Sequence, residues 1–353
     1  MTEEGNVRDG DSESDDMRTV EAIIAEMRTE VAENPDDVSL RWSFIQVLVS
    51  EKNPKTLANV SLAMSQCRAI IERDQEHVDA WLTGGYLLTH YLGILDEALE
   101  WWQQMREQIP EHPLAILQQA SILADLGLYD EAAIQIDRLM DEGVRSLGRH
   151  QIHDAFRLRE TVQHALASQD RKWFKPWVKS DEGWDTIRVA MMRGPPNASR
   201  MFLFTVAPFM WLEAWLITTQ DTLTFTTMLF GMAIILLTFI YGRRLTNRMT
   251  RRLSIPSLNL LRAMEIETTT GKMVIEADIR SSKLYDKIMQ KRPLSILERT
   301  EKIVKRDKRL EPGWEFHIPD LDSADDALRR YVDRLDAEEM QEGFMSLAEF
   351  EEE

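Results

Sequence analysis

The run Thr222–Tyr241 is twenty residues long and holds no charged side chain. As a helix it would rise about 30 Å, the thickness of a bilayer's hydrocarbon core. A second apolar run, Met201–Thr218, lies just upstream with Glu213 as its one charge, and only Thr219-Gln220-Asp221 separates the two. One apolar helix fits inside a soluble core, but two in tandem with so short a joint are hard to bury there. The pattern predicts a membrane hairpin of spans 201–219 and 222–241. Whole-chain composition hides it: 44% hydrophobic and 29% charged residues are ordinary globular values.

Basic residues set the expected orientation. Arg188, Arg193 and Arg200 precede the first run, and Arg243, Arg244, Arg248, Arg251 and Arg252 follow the second, whereas the joint has none. Positive flanks stay on the cytoplasmic side, so the reading is a multi-pass protein with two spans and both termini cytoplasmic. The first 16 residues carry seven acids and no apolar run, which is not a secretory signal.

Ahead of the hairpin, Arg171–Lys179 interleaves bases with Trp173, Phe174 and Trp177. Such a segment can stack single-stranded nucleic acid, cap a neighbouring domain or sit at lipid headgroups. Its place before a span favours the headgroups, with Arg243 and Arg244 at the corresponding level after the second span. Glu213 is costly inside a span. Six residues from Thr219, it is near enough to the outer end to reach toward water; alternatively, reflection of the hairpin about Gln220 sets it beside Thr227, whose hydroxyl is a hydrogen-bond partner.

The amino-terminal half repeats itself. Gly93-Ile94-Leu95-Asp96-Glu97-Ala98-Leu99 aligns with Gly127-Leu128-Tyr129-Asp130-Glu131-Ala132-Ala133 at an offset of 34 residues. Pro110 lies twelve residues after Ala98, and Trp81 and Gly85 lie before the first copy. This period and these residues resemble the tetratricopeptide repeat (TPR). An earlier copy fits Pro35, Leu40, Phe44, Ala63, Cys67 and Ile70, with an insertion between Ser50 and Ala58, and Thr19–Asn34 reads as the second helix of a half-repeat before it.

The resemblance implies a solenoid of helical hairpins, each burying its apolar faces against its neighbours, with a protein client in the concave groove. The implied groove positions are Trp42, Gln46 and Val49, then Leu82, Tyr86 and Thr89, then Leu117, Ser121 and Ala124. The Lys/Asn/Arg set with which one TPR subfamily clamps a terminal carboxylate is missing. An apolar groove suits an amphipathic helix or extended apolar segment; the chain's own His150–Ser168 helix is the rival occupant. Cys67 reads as a small core residue.

The fold class expected is therefore mostly α. An acidic disordered tail (1–16) leads into TPR repeats (17–145), then a capping helix and juxtamembrane segment (146–200), the two-helix hairpin (201–241) and a small cytosolic region, α+β or partly disordered (242–353). That last region has 18 Lys/Arg against 8 Asp/Glu over 242–310 and 3 against 13 over 320–353. Within it, 264–267 and 273–276 read as a β-hairpin turning at Gly271, followed by helices over 293–309 and 323–336.

Chemistry is sparsely signalled. A net charge of −18 disfavours nucleic acid. A single cysteine excludes an intramolecular disulfide, Thr270-Gly271-Lys272 lacks the rest of a phosphate loop, and His150, His153 and His164 lack completing ligands. The expectation is a non-enzyme with no cofactor, metal or small-molecule substrate: a membrane-anchored adaptor holding a protein client at the cytosolic face. The alternative is a small subunit or assembly factor of an intramembrane complex.

Overall fold

The computed structural model describes residues 8–110, 112–142, 147–167, 173–219, 225–323 and 329–330, and among them the regular elements are all helical. The chain divides into two compact units.

The first unit begins with α1 (Arg8–Glu33), α2 (Val38–Val49), α3 (Leu57–Ile71) and α4 (Val78–Tyr86), the last running on as a π-helical stretch, Leu87–Leu92. Then come α5 (Leu95–Gln108), α6 (Leu114–Leu126), α7 (Tyr129–Glu142) and α8 (Arg149–Ala167). Each helix packs mainly on its neighbours in sequence, as in a one-dimensional stack. The starts are encoded locally: Asp37 accepts from the Leu40 amide at 2.9 Å, Thr56 from Asn59 at 3.2 Å, and His77 Nδ1 from Ala80 at 3.2 Å. Gly93 and Gly127, the glycines aligned at offset 34, hold the same structural place. Both adopt a left-handed φ (63° and 83°) that ends the first helix of a pair. Phe44, Cys67, Trp81, Ala98, Trp102, Met105 and Ile136 fill the space between the layers.

Three features depart from the sequence reading. Residues 8–16, read as part of a solvated tail, belong to α1; acids at a helix start complement its dipole. The region 264–276 is not a β-hairpin, because residues 264–270 complete a long helix and Gly271, at φ 64°, ends it. The Gly271 amide donates to Glu267 O, and the Val274 amide to Glu267 Oε1 at 2.6 Å. Met273 instead pairs with 308–310, donating to Lys308 O and accepting from Leu310. The carboxy-terminal region is also not wholly separate from the repeats, since Glu265–Val274 and the described residues from Arg292 on belong to the first unit. There α15 (Leu294–Arg306) packs on α3 and the π-helical stretch. Ser295 donates to Tyr91 O at 2.6 Å, Glu298 accepts from the Leu57 amide at 2.7 Å, and Arg299 grips Thr268 O through two nitrogens. The proposed helix 323–336 falls almost wholly outside the described residues.

The second unit holds α9 (Glu182–Ala190), α10 (Ala198–Thr205), α11 (Ala207–Thr218), most of α12 (Phe225–Thr270), α13 (Ala277–Arg280) and α14 (Lys283–Met289). One stretch of α12, Met228–Asn247, is long and apolar enough to cross a membrane. The expected first span is instead two helices bent by 42°. Pro208 explains the break, having no N–H to continue the ladder from α10. The expected boundary at residue 242 is likewise not a helix end, since α12 passes through it and through Pro256 without interruption.

Candidate functional site

The inner faces of α2, α4 and α6 enclose a cavity of about 400 Å³. Val49, Leu82, Leu87 and Leu114 form its apolar wall; Tyr86, Tyr91 and Trp102 add aromatic rings; Lys55, Thr83 and Gln118 are its polar members. Tyr86 is 52% exposed. Its ring lies 4.5 Å from His90 and 5.7 Å from Tyr91, centroid to centroid. Desolvation moves the Tyr91 hydroxyl above its usual pKa and the His90 imidazole below its own.

Glycines beside the cavity let the indoles close on α4. A Cβ on Gly85 would lie 2.2 Å from the Trp102 ring, and one on Gly84 2.3 Å from Trp101, so the two indoles pack directly on the α4 backbone. Lys55 enters from the loop before α3, where its ammonium donates to Ser50 O and Asn53 O. Burial lowers its pKa, and the Glu51 charge opposes that shift.

Of the nine groove positions implied by the repeat, the structure gathers Val49, Leu82 and Tyr86 on this cavity. Trp42 stacks on His77 instead, at 5.3 Å. Gln46 is exposed, while Thr89 is half-buried and donates to Gly85 O. In the third repeat the implied set is displaced. Leu117, 6% exposed, and Ala124 are core residues, and Ser121 is half-buried. Leu114 and Gln118, one turn earlier, line the cavity in their stead. The two copies are also out of step: second helices start 34 residues apart (Leu95 to Tyr129), but first helices start 36 apart (Val78 to Leu114), the π-helical stretch lying in the longer one. Lys55 and Trp102 were also missed, one lying in an insertion and the other on a second helix. The helix α8 packs Ala155 against Ile116, Leu117, Leu139 and Leu147, and contributes no residue to the cavity wall.

The juxtamembrane aromatics are placed differently from the lipid-headgroup reading. Phe174 is 4% exposed, T-stacked on Trp184 at 5.0 Å and seated against Gly183. The Trp173 ring lies 4.4 Å from Tyr129, and Trp177 is half-buried. Enough apolar protein surface is available here for Phe174 to be used in packing rather than left for lipid. Arg243 and Arg244 are exposed on α12.

In the apolar hairpin, Thr238 Oγ1 donates to Glu213 Oε1 at 2.7 Å, and Glu213 Oε2 is buried with no hydrogen-bond partner. The expected partner was Thr227, whose side chain lies outside the described residues. Four contacts explain the difference: Met201 meets Thr250, Val206 meets Gly242, Glu213 meets Thr238, and Ile217 meets Gly231. They centre the antiparallel register near residue 225 rather than at Gln220. Around this pair the large side chains face outward, Trp211 at 75% exposure among them.

Among the described residues no group of three or more His, Cys, Asp or Glu side chains is placed to hold a metal ion. No protein-family model, curated protein or solved structure matches the chain.

Proposed function

We propose that this chain is a membrane-anchored adaptor of the TPR type, which holds a protein client in the cavity between α2, α4 and α6. Two spans, α10–α11 and the first half of α12, form the anchor in this reading, and both flanking regions are cytoplasmic. The observation that carries it is the pairing, in one chain, of an open apolar hollow on a helical stack with an outward-facing apolar hairpin. A stack of helices buries its apolar faces on itself, so a hollow ringed by exposed Tyr86 and half-buried Leu82 is surface left for a partner. The Arg residues around the hairpin support the cytoplasmic assignment.

The test is site-specific photo-cross-linking in native membranes, with the reactive group at Leu82 or Tyr86 and, as control, at Ile134, an exposed apolar residue of α7 outside the cavity. The adaptor reading predicts one product shared by positions 82 and 86, absent at 134 and abolished by Tyr86→Glu elsewhere on a Leu82-labelled chain. Equal products at all three positions contradict it. Extraction of the chain only in fixed stoichiometry with other membrane proteins, insensitive to Tyr86→Glu, would assign it as a complex subunit instead.

A further inference from the structure

Two donors beside the cavity stand out among its neutral members: Trp102 Nε1, sealed behind the wall, and the Lys55 ammonium, the one charged group of the lining. Trp102 is buried and its Nε1 finds no acceptor in the protein. Its neighbours show that this is not general to the indoles here: Trp101 Nε1 donates to Trp81 O at 2.7 Å, and Trp81 Nε1 to Gln75 O at 2.9 Å. An ammonium has three N–H groups, and Lys55 spends two of them on Ser50 O and Asn53 O.

The charge balance points the same way. Lys55 is the only Lys, Arg, Asp or Glu of the cavity lining; Glu51, the acid that acts on it, is exposed and outside that lining. A cationic ligand group entering the hollow would meet Lys55 with no carboxylate in the wall to receive it. A purely apolar group would fill the hollow but leave the third ammonium N–H without an acceptor from the ligand, an unfavourable arrangement. A carboxylate beside an apolar side chain suits both the apolar wall and Lys55, because a charged acceptor makes the stronger hydrogen bonds.

We infer that the client segment is acidic as well as apolar: a large apolar side chain fills the hollow against Leu82, Leu114 and Tyr86, and a neighbouring Asp or Glu carboxylate accepts from Lys55. This rests on the cavity being the client site.

The test pans a phage library of random heptapeptides against the full chain in detergent micelles, and repeats the panning with Lys55→Gln, Lys55→Arg and Tyr86→Glu. Enriched peptides should carry Asp or Glu within two residues of Leu, Phe or Trp. Lys55→Gln should lose the acidic preference and keep the apolar one, while Lys55→Arg, which keeps the charge, should retain both. One enriched peptide, synthesised with a fluorophore, should bind the Lys55→Gln chain about tenfold or more weakly, the loss expected for one charge-assisted hydrogen bond. Apolar enrichment without acids, or with Lys or Arg, overturns the inference; if Tyr86→Glu still abolishes that binding, the cavity remains the client site. No enrichment, or enrichment indifferent to Tyr86→Glu, overturns both.

Discussion

Two helices of similar apolar character end in opposite surroundings. In α6 the apolar residues Ala115, Ile116, Leu117, Ile122 and Leu123 are buried by α5, α7 and α8, whereas no residue of α11 is buried. Helix apolarity therefore says that water is excluded, but not what excludes it. In α6 the excluding medium is protein, and Gly127 and the Asp130–Glu131 start of α7 fold the chain back to supply it. In α11 and the facing part of α12, the protein covers one side through Glu213–Thr238 and Gly231–Ile217 and leaves the other side bare. In the proposed reading lipid covers the bare side.

The sharpest way to break this contrast is one substitution made in both places. Leu123→Arg buries an unpaired charge in the stack and should cost about 4 kcal/mol or more, abolishing the cooperative thermal melt of the repeat unit. Leu237→Arg, on an exposed face of α12, should leave that melt unchanged. In a bilayer it should oppose insertion by about 2.5–3.5 kcal/mol, read as a loss of carbonate-resistant membrane fraction. Normal membrane retention of Leu237→Arg would remove the hairpin from the bilayer.

A smaller effect is expected where Trp102 packs on α4. Alanine normally stabilises an exposed helix relative to glycine by about 1 kcal/mol, but at Gly85 the new Cβ meets the Trp102 ring. Gly85→Ala should destabilise the unit by about 1–3 kcal/mol in a denaturant titration. A more stable variant would show that the indole is not held against α4.

Smaller still is the hairpin hydrogen bond. Glu213→Gln keeps an acceptor for Thr238, so it should leave helix–helix association nearly unchanged, while Glu213→Leu and Thr238→Val should each weaken it by about 0.5–2 kcal/mol. Thr227→Val should do neither. Equal behaviour of the Gln and Leu variants would mean that Glu213 merely reaches toward water.

The smallest change concerns Cys67, buried in α3, where burial pushes the thiol up to about 12. The folded thiol stays neutral at pH 9, while the unfolded thiol begins to ionise near pH 8.5. Its contribution to stability is complete below that pH and declines as pH rises toward 12. Iodoacetamide at pH 9 should leave Cys67 unmodified until urea unfolds the chain, and rapid native labelling would contradict its burial.

These contrasts also explain how far the sequence could be read. The glycines aligned at offset 34 and the second apolar run are local signals: Gly93 and Gly127 end helices, and Met228–Asn247 overlaps the predicted 222–241 while ending six residues later, whereas the first predicted span is bent in two. Errors arose where tertiary packing chose between local options. Gly271 suits a tight turn and a helix end equally, and the choice of helix end comes with Thr269 bonding Gly93 O and Arg299 gripping Thr268 O. The π-helical stretch lengthens the first helix of one copy, so the 34-residue offset read from the second helices does not carry over to the first. Lys55 sits in a loop that no periodicity covers. Trp102 carries the unsatisfied N–H, while Trp101 beside it does not, and only side-chain geometry tells them apart.

The claim on which the rest depends is that one apolar surface faces lipid and the other faces an aqueous hollow. Nitroxides at Leu236 and at Tyr86, each in a Cys67→Ser background in reconstituted vesicles, measure it through collisions with oxygen and with a water-soluble nickel chelate. The account predicts oxygen access with nickel exclusion at Leu236 and nickel access at Tyr86. Nickel access at Leu236 equal to that at Tyr86 would contradict it.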